Sequence, residues 1–172
     1  MHFPLFLELD GKPCLVVGGG NVAARKASAL REFGAKVVTV APEVCGRGFA
    51  DADVEGMALV VAATDDADVN RHVAELCKAK GIPVNVVDDP ANCTFIFPAI
   101  ARKGPLTVAV SSGGACPVAA KLVRDKAART MPDDFVAEVE RLGRARDELK
   151  RTFPDPQERR KHCEEVLKKW ND

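Results

Sequence analysis

The sequence predicts an α/β fold, a doubly wound parallel sheet with a trimmed edge, followed by a smaller second unit. Three observations predict it. Short apolar runs alternate with helical stretches as far as Val87, the pattern of strand–helix units in a parallel sheet. The first joint, Cys14 to Ala27 (CLVVGGGNVAARKA), places three glycines between an apolar run and a helix-forming run. After Asp89 the alternation stops, and two strand-like runs follow with no room between them for a crossover helix.

Taken in order, Pro13 to Val17 reads as a strand buried on both faces. Val22 to Phe33 is a helix with Ala23, Ala27 and Leu30 inward, closed by Gly34. Lys36 to Val40 is the second strand, Met57 to Thr64 the third and Ile82 to Val87 the fourth. Between the last two, Ala67 to Lys80 is helical, with Val69, Val73, Leu76 and Lys80 along one side. Thr94 to Phe97 and Leu106 to Ser111 are expected as strands joined through Pro98 to Pro105. Pro117 suits a helix's first turn, so Val118 to Arg129 continues as a helix. Asp133 to Phe153 and Gln157 to Trp170 complete the chain as helices separated by prolines. The expected organisation is a nucleotide-binding domain over 1–97, a dimerisation segment over 98–131 and a helical region over 132–172.

A chain of 172 residues with 47% apolar composition supports a real core. Lys plus Arg, 25 in all, balances 25 Asp plus Glu, so no whole-molecule field recruits nucleic acid or an anionic membrane. The six cysteines are scattered without CxxC spacing, and the three histidines stand in no metal-ligand pattern, so no metal site is expected. The N-terminus lacks the features of a signal peptide and no segment has the length of a membrane span, so a cytoplasmic protein is expected.

Gly18, Gly20 and Ala23 fit the dinucleotide fingerprint GxGxxA of a Rossmann-like fold. The first glycine permits the tight turn, and the second lets a pyrophosphate approach the backbone. The small third residue lets helix and strand pack closely, while the amides near Asn21 and Val22 favour the anion. The second strand runs on into Pro42 and Glu43, and Glu43 stands two or three places past the usual position of the ribose-binding carboxylate. No arginine occurs at this turn before Arg47, which favours NAD over NADP.

The stretches FPLFLEL, CLVVGGGNVAARKA, VVAATDDADVNRHV, NVVDDPANCTFIFPAI and PLTVAVSSGGACPVAAKLVRDK follow one another between residues 3 and 126. In them the sequence resembles the precorrin-2 dehydrogenase family, including the N-terminal part of siroheme synthase. The resemblance implies NAD-dependent oxidation of precorrin-2 to sirohydrochlorin and, as in some members, insertion of ferrous iron or cobalt. It also implies a homodimer paired through the segment after the nucleotide domain, with the tetrapyrrole in a cleft completed by the partner chain. The methyltransferase domain of some relatives is absent here, so this chain is not expected to make precorrin-2. One departure is large: only sixteen residues, 41 to 56, separate the second strand from the third, too few for the extra helix and strand that the family normally places there. A non-catalytic nucleotide or tetrapyrrole carrier is the alternative of another class.

Asp88 ends NVVD at the carboxyl edge of the sheet, where open α/β folds bind ligands. The resemblance makes it the catalytic candidate, a base for the macrocycle's proton or a holder of a pyrrole nitrogen. The alternative is that Asp88 or Asp89 caps the turn before Pro90. Thr64 and Asp65 reach the same edge beside the expected nicotinamide, with helix capping as the competing role for Asp65 or Asp66. Ser111 and Ser112 precede two glycines and a helix, an arrangement that exposes amides and hydroxyls to a carboxylate, and Ser112 matches a serine phosphorylated in some members. Lys121 and Arg124 on the following helix, with Arg129, and Arg102 and Lys103 on the preceding loop, are candidates for the substrate's carboxylates.

Overall fold

The computed structural model describes residues 2–170. The chain divides after Phe97 into two compact units. The first is built on β1 (Pro13–Val17), α1 (Asn21–Glu32) and β2 (Lys36–Val40), then a single turn α2 (Pro42–Cys45) and a short 3₁₀ turn at Asp51–Val54. β3 (Leu59–Ala62), α3 (Ala67–Ala79) and β4 (Val84–Val86) complete it. The sheet is parallel in the order β2-β1-β3-β4. Among the described residues no strand stands between β2 and β3 in the chain or beyond β2 in the sheet, so β2 is itself the edge, as the short 41–56 connection requires.

Both faces of the sheet are covered, which explains the near-continuous apolar strands. On one face Leu15, Val17, Val60 and Val84 pack with Val73, Ala74 and Cys77 of α3. On the other Cys14, Val16 and Val61 pack with Ala23, Ala27 and Leu30 of α1. Burial raises the thiol pKa of Cys14 and pushes that of Cys77 up to about 11, so both behave as small core residues. Lys80 is not on the inner side of α3; it caps the helix, is exposed, and pairs with Glu55 at 2.8 Å.

The connection from β2 to β3 is held by short-range polar contacts. The Arg47 guanidinium grips both carboxylate oxygens of Asp53 at 2.6 and 2.7 Å and donates to the Gly48 carbonyl. His72 of α3 meets Asp51 at 2.7 Å.

Thr94–Phe97 is not a strand. Val84 and Val86 turn their outer N–H and C=O groups toward it, but side chains answer several of them. The Val84 amide donates to Thr94 Oγ1 at 2.8 Å and the Val86 amide to Cys93 Sγ at 3.1 Å. Phe95 and Phe97 turn inward onto the α1-side core.

In the second unit β5 (Ala99–Lys103) and β6 (Leu106–Val110) form an antiparallel hairpin on which α4 (Pro117–Arg129) packs. Arg102 and Lys103 therefore lie on a strand, not on a loop, and Lys103 donates to the Met131 carbonyl and to Asp133. The long helix expected over Asp133 to Phe153 breaks at Ala145 into α5 (Asp133–Arg144) and α6 (Arg146–Thr152). Finally α7 (Pro156–Leu167) ends in a 3₁₀ turn, Lys168–Trp170. No helix among the described residues is long and apolar enough to cross a membrane.

Candidate active site

The parallel register puts Val17, Val40, Ala62 and Val86 in one row at the carboxyl end of the sheet. Whatever follows each strand leaves the same edge: Gly18 after β1, Pro42 and Glu43 after β2, Thr64 and Asp65 after β3, Asp88 after β4. Three backbone bonds extend the ladder past the strands and lock this alignment, Gly18 N to Val40 O, Ala63 N to Val17 O and Val87 N to Ala62 O, all at 2.8–2.9 Å.

The glycine turn divides its work as the fingerprint requires. Gly18 is buried with φ +125°, and a Cβ there would overlap the Ala63 carbonyl. Gly20 is exposed, and a Cβ on it would meet nothing within 4 Å. Space thus lies open beside the start of α1, where no side chain caps the helix and no acidic residue stands in the first turn. Asn21 and Val22 begin that turn with their amides unclaimed by any cap. Lys26, one turn on, holds its ammonium 3.8 Å from the Phe97 ring centroid, and burial lowers its pKa.

Pro42 opens α2 and Glu43 follows in its first turn. The Glu43 side chain folds back over Gly19, filling the space a Cβ would take. A carboxylate late in sequence is thereby returned to the glycine turn. Arg47, the nearest arginine, is committed to Asp53.

After β3, Thr64 is fixed by a residue that motif reading did not single out. Asn70, 8% exposed, accepts from the Thr64 amide at 3.1 Å and its hydroxyl at 2.8 Å, and donates to the Thr64 carbonyl at 2.9 Å. The available signal was a polar residue between Val69 and Val73, on the inner face of a helix. Asp66 caps α3 by accepting from the amides of Asp68 and Val69, which leaves Asp65 exposed and uncommitted to the cap.

After β4 the two aspartates separate in role. Asp89 caps the 3₁₀ turn Pro90–Asn92, accepting from Asn92 Nδ2 at 2.7 Å and the Asn92 amide at 3.3 Å. Those bonds, the side-chain one foremost, lower its pKa. Asp88 has φ +59°, the sole non-glycine residue with positive φ among those described, and it is exposed with no hydrogen bond or ion pair. The left-handed backbone and the unpartnered carboxylate stand at the edge where open α/β folds bind ligands, and capping does not explain them.

Because Asp89 is depressed below its ordinary 3.8, the unfolded chain binds more protons near that pH. The contribution is present above the unfolded pKa and is lost as pH falls through the lower folded one. The melting temperature of wild type is therefore expected to fall more steeply than that of Asn92→Ala once pH drops below about 4. Thermal melts of both across that window check it.

Ser111, Ser112, Lys121 and Arg124 belong to the second unit. The Ser111 hydroxyl accepts from the Gly113 amide and the Ser112 hydroxyl from the Cys116 amide, each at 3.0 Å, so each keeps its own proton to donate. Lys121 is exposed on α4, whereas Arg124 is held by its neighbour Asp125 at 2.6 Å. Among the described residues no three His, Cys, Asp or Glu side chains gather as a metal site.

A family profile described as putative NAD(P)-binding matches residues 5–99, more than half of the chain. The chain belongs to that family. A second profile, the central part of a sirohaem biosynthesis protein, matches residues 103–129 of this NAD(P)-binding protein. The siroheme synthase of Ectopseudomonas mendocina is 48% identical over 95% of the chain, and that of Thioalkalivibrio sulfidiphilus 43% over 96%. The likeness is to the N-terminal part of siroheme synthase, and the chain spans 38% and 37% of those two relatives. The solved structure of SirC, a precorrin-2 dehydrogenase, shares the fold with a TM-score of 0.73 over 96% of this chain and 89% of that one, at 23% identity.

Proposed function

We propose that the chain is an NAD-dependent precorrin-2 dehydrogenase that works as a homodimer. The observation that carries this reading is the convergence, at one sheet edge, of an open glycine turn with the strained, unpartnered Asp88. The siroheme synthase relatives supply the substrate class.

The residues present fit a dinucleotide. The opening over Gly20 and the α1 amides of Asn21 and Val22 receive the pyrophosphate, while Glu43 accepts from the ribose hydroxyls. Thr64 and Asp65 border the nicotinamide. NAD, when bound, supplies the hydride acceptor. Oxidation of precorrin-2 to sirohydrochlorin removes a hydride and a proton. Asp88 takes that proton from the macrocycle and, being exposed, passes it to solvent. The hydroxyls of Ser111 and Ser112 and the ammonium of Lys121 hold the substrate's carboxylates.

Glu43 also selects the cofactor. A 2′-phosphate would meet its carboxylate, and Arg47 is not free to compensate. Glu43→Ala is expected to raise affinity for NADP relative to NAD by about 5- to 10-fold, the scale of one like-charge contact near solvent. Calorimetric titration with both nucleotides measures it. Wild type binding neither nucleotide would count against the whole reading.

Dimerisation rests on α4. Val118, Leu122 and Val123 are 65, 58 and 53% exposed, an apolar face that the chain's own second unit leaves open. In sedimentation at micromolar concentration wild type should run as a dimer and Leu122→Asp as a monomer. A wild-type monomer would refute the pairing.

A further inference from the structure

We propose that Cys93 is a positioning residue for Asp88, its thiol latching the end of β4 so that the following turn keeps the left-handed backbone that presents the carboxylate. This rests on the reading of Asp88 as the acting base. β4 is an edge strand, so the outward N–H and C=O of Val86, 3% exposed, have no ladder partner. Cys93 answers both. Its sulfur accepts from the Val86 amide at 3.1 Å and lies 3.2 Å from the Val86 carbonyl and 3.3 Å from the Asp89 carbonyl, to either of which the single S–H can donate. Asn85 Nδ2 adds a donor to the same sulfur at 3.4 Å, and also reaches the Phe95 carbonyl at 3.0 Å.

The thiol thus touches the backbone on both sides of Asp88, at Val86 and at Asp89. A left-handed conformation in a residue bearing a Cβ persists only where its surroundings over-determine it. Here they do so from two directions, with Asn92 holding the Asp89 side chain and Cys93 holding the flanking main chain. Removing the sulfur leaves the buried Val86 amide without a partner and frees the turn to relax. Cys93 itself touches no reacting atom in this account.

The test uses the purified full chain and compares Cys93→Ala, Cys93→Ser, Asp88→Asn and the double variant Cys93→Ala/Asp88→Asn. Readouts are kcat, the KM for NAD, and hydrogen exchange at the Val86 amide. Cys93→Ala is expected to lower kcat about tenfold or more with the KM for NAD within about twofold, and to speed exchange at Val86. Cys93→Ser, which restores a donor and acceptor on a shorter arm, should recover most of the loss. In the Asp88→Asn background Cys93→Ala should add almost nothing, because both act through one group.

Wild-type kcat in Cys93→Ala, or losses that multiply with those of Asp88→Asn, would overturn the positioning role while leaving Asp88 in place. Full turnover in Asp88→Asn would overturn both. Should Cys93→Ala not fold, unchanged Val86 exchange in Cys93→Ser together with a kcat loss matched by a rise in the KM for NAD would also sink the proposal.

Discussion

Asp88→Asn is expected to lower kcat by about 10² to 10⁴, the usual contribution of a general base, while NAD and tetrapyrrole still bind. The substitution keeps side-chain size and removes basicity, and asparagine tolerates the left-handed backbone found at this position. Capping would not be lost, because Asp89 performs it. Asp88→Gly sharpens the comparison. Glycine relieves the strain at φ +59°, so its melting temperature should equal or exceed that of wild type even though turnover collapses. A variant more stable and less active would locate stored strain at the working residue. Turnover in Asp88→Asn equal to wild type, at saturating precorrin-2 and NAD, would remove the carboxylate from the chemistry.

The second large effect is at the glycine turn, where two neighbouring glycines should respond oppositely. Gly18→Ala places a methyl on backbone at φ +125° and into the Ala63 carbonyl. Neither β1 nor the segment after β3 can retreat without breaking the bonds Gly18 N to Val40 O and Ala63 N to Val17 O. Strain and overpacking together are expected to cost about 3–5 kcal/mol. That corresponds to a fall of roughly 6–20 °C in Tm for a domain of this size. Gly20→Ala adds a methyl where nothing lies within 4 Å. It should leave Tm near wild type and weaken NAD by about tenfold, since the methyl enters the space a pyrophosphate must occupy. Melting curves with and without NAD separate the two outcomes, and equal behaviour of the two variants would refute the division of roles.

The first three elements were legible because each carried its own physical signature. An apolar run buried on both faces, a glycine turn and a helix with Ala23, Ala27 and Leu30 on one side admit few other folds. The trimmed edge was legible by length alone, since sixteen residues cannot supply another helix and strand. Thr94 to Phe97 misled because FIF reads as a strand, whereas the outer edge of β4 is partly satisfied by the side chains of Cys93 and Thr94. The break at Ala145 has no proline to mark it, and Gly143 two residues earlier, a weak helix former, is the one local signal in the sequence. Of the site, the sheet-edge residues could be placed from strand ends. Which of Asp88 and Asp89 capped the turn could not, because it depends on where Asn92 points. The return of Glu43 to the glycine turn likewise depends on α2, a single turn of helix that composition does not announce.

The most direct measurement is an anaerobic single turnover in which excess chain and NAD are mixed with precorrin-2 and the tetrapyrrole and nicotinamide spectra are followed together. Sirohydrochlorin and NADH are expected to appear in equal amounts and at one rate, with Asp88→Asn slowing both equally. NAD bound with precorrin-2 left unchanged would contradict the dehydrogenase reading and make the chain a carrier, and sirohydrochlorin formed without NADH would contradict it by showing that the electrons go elsewhere.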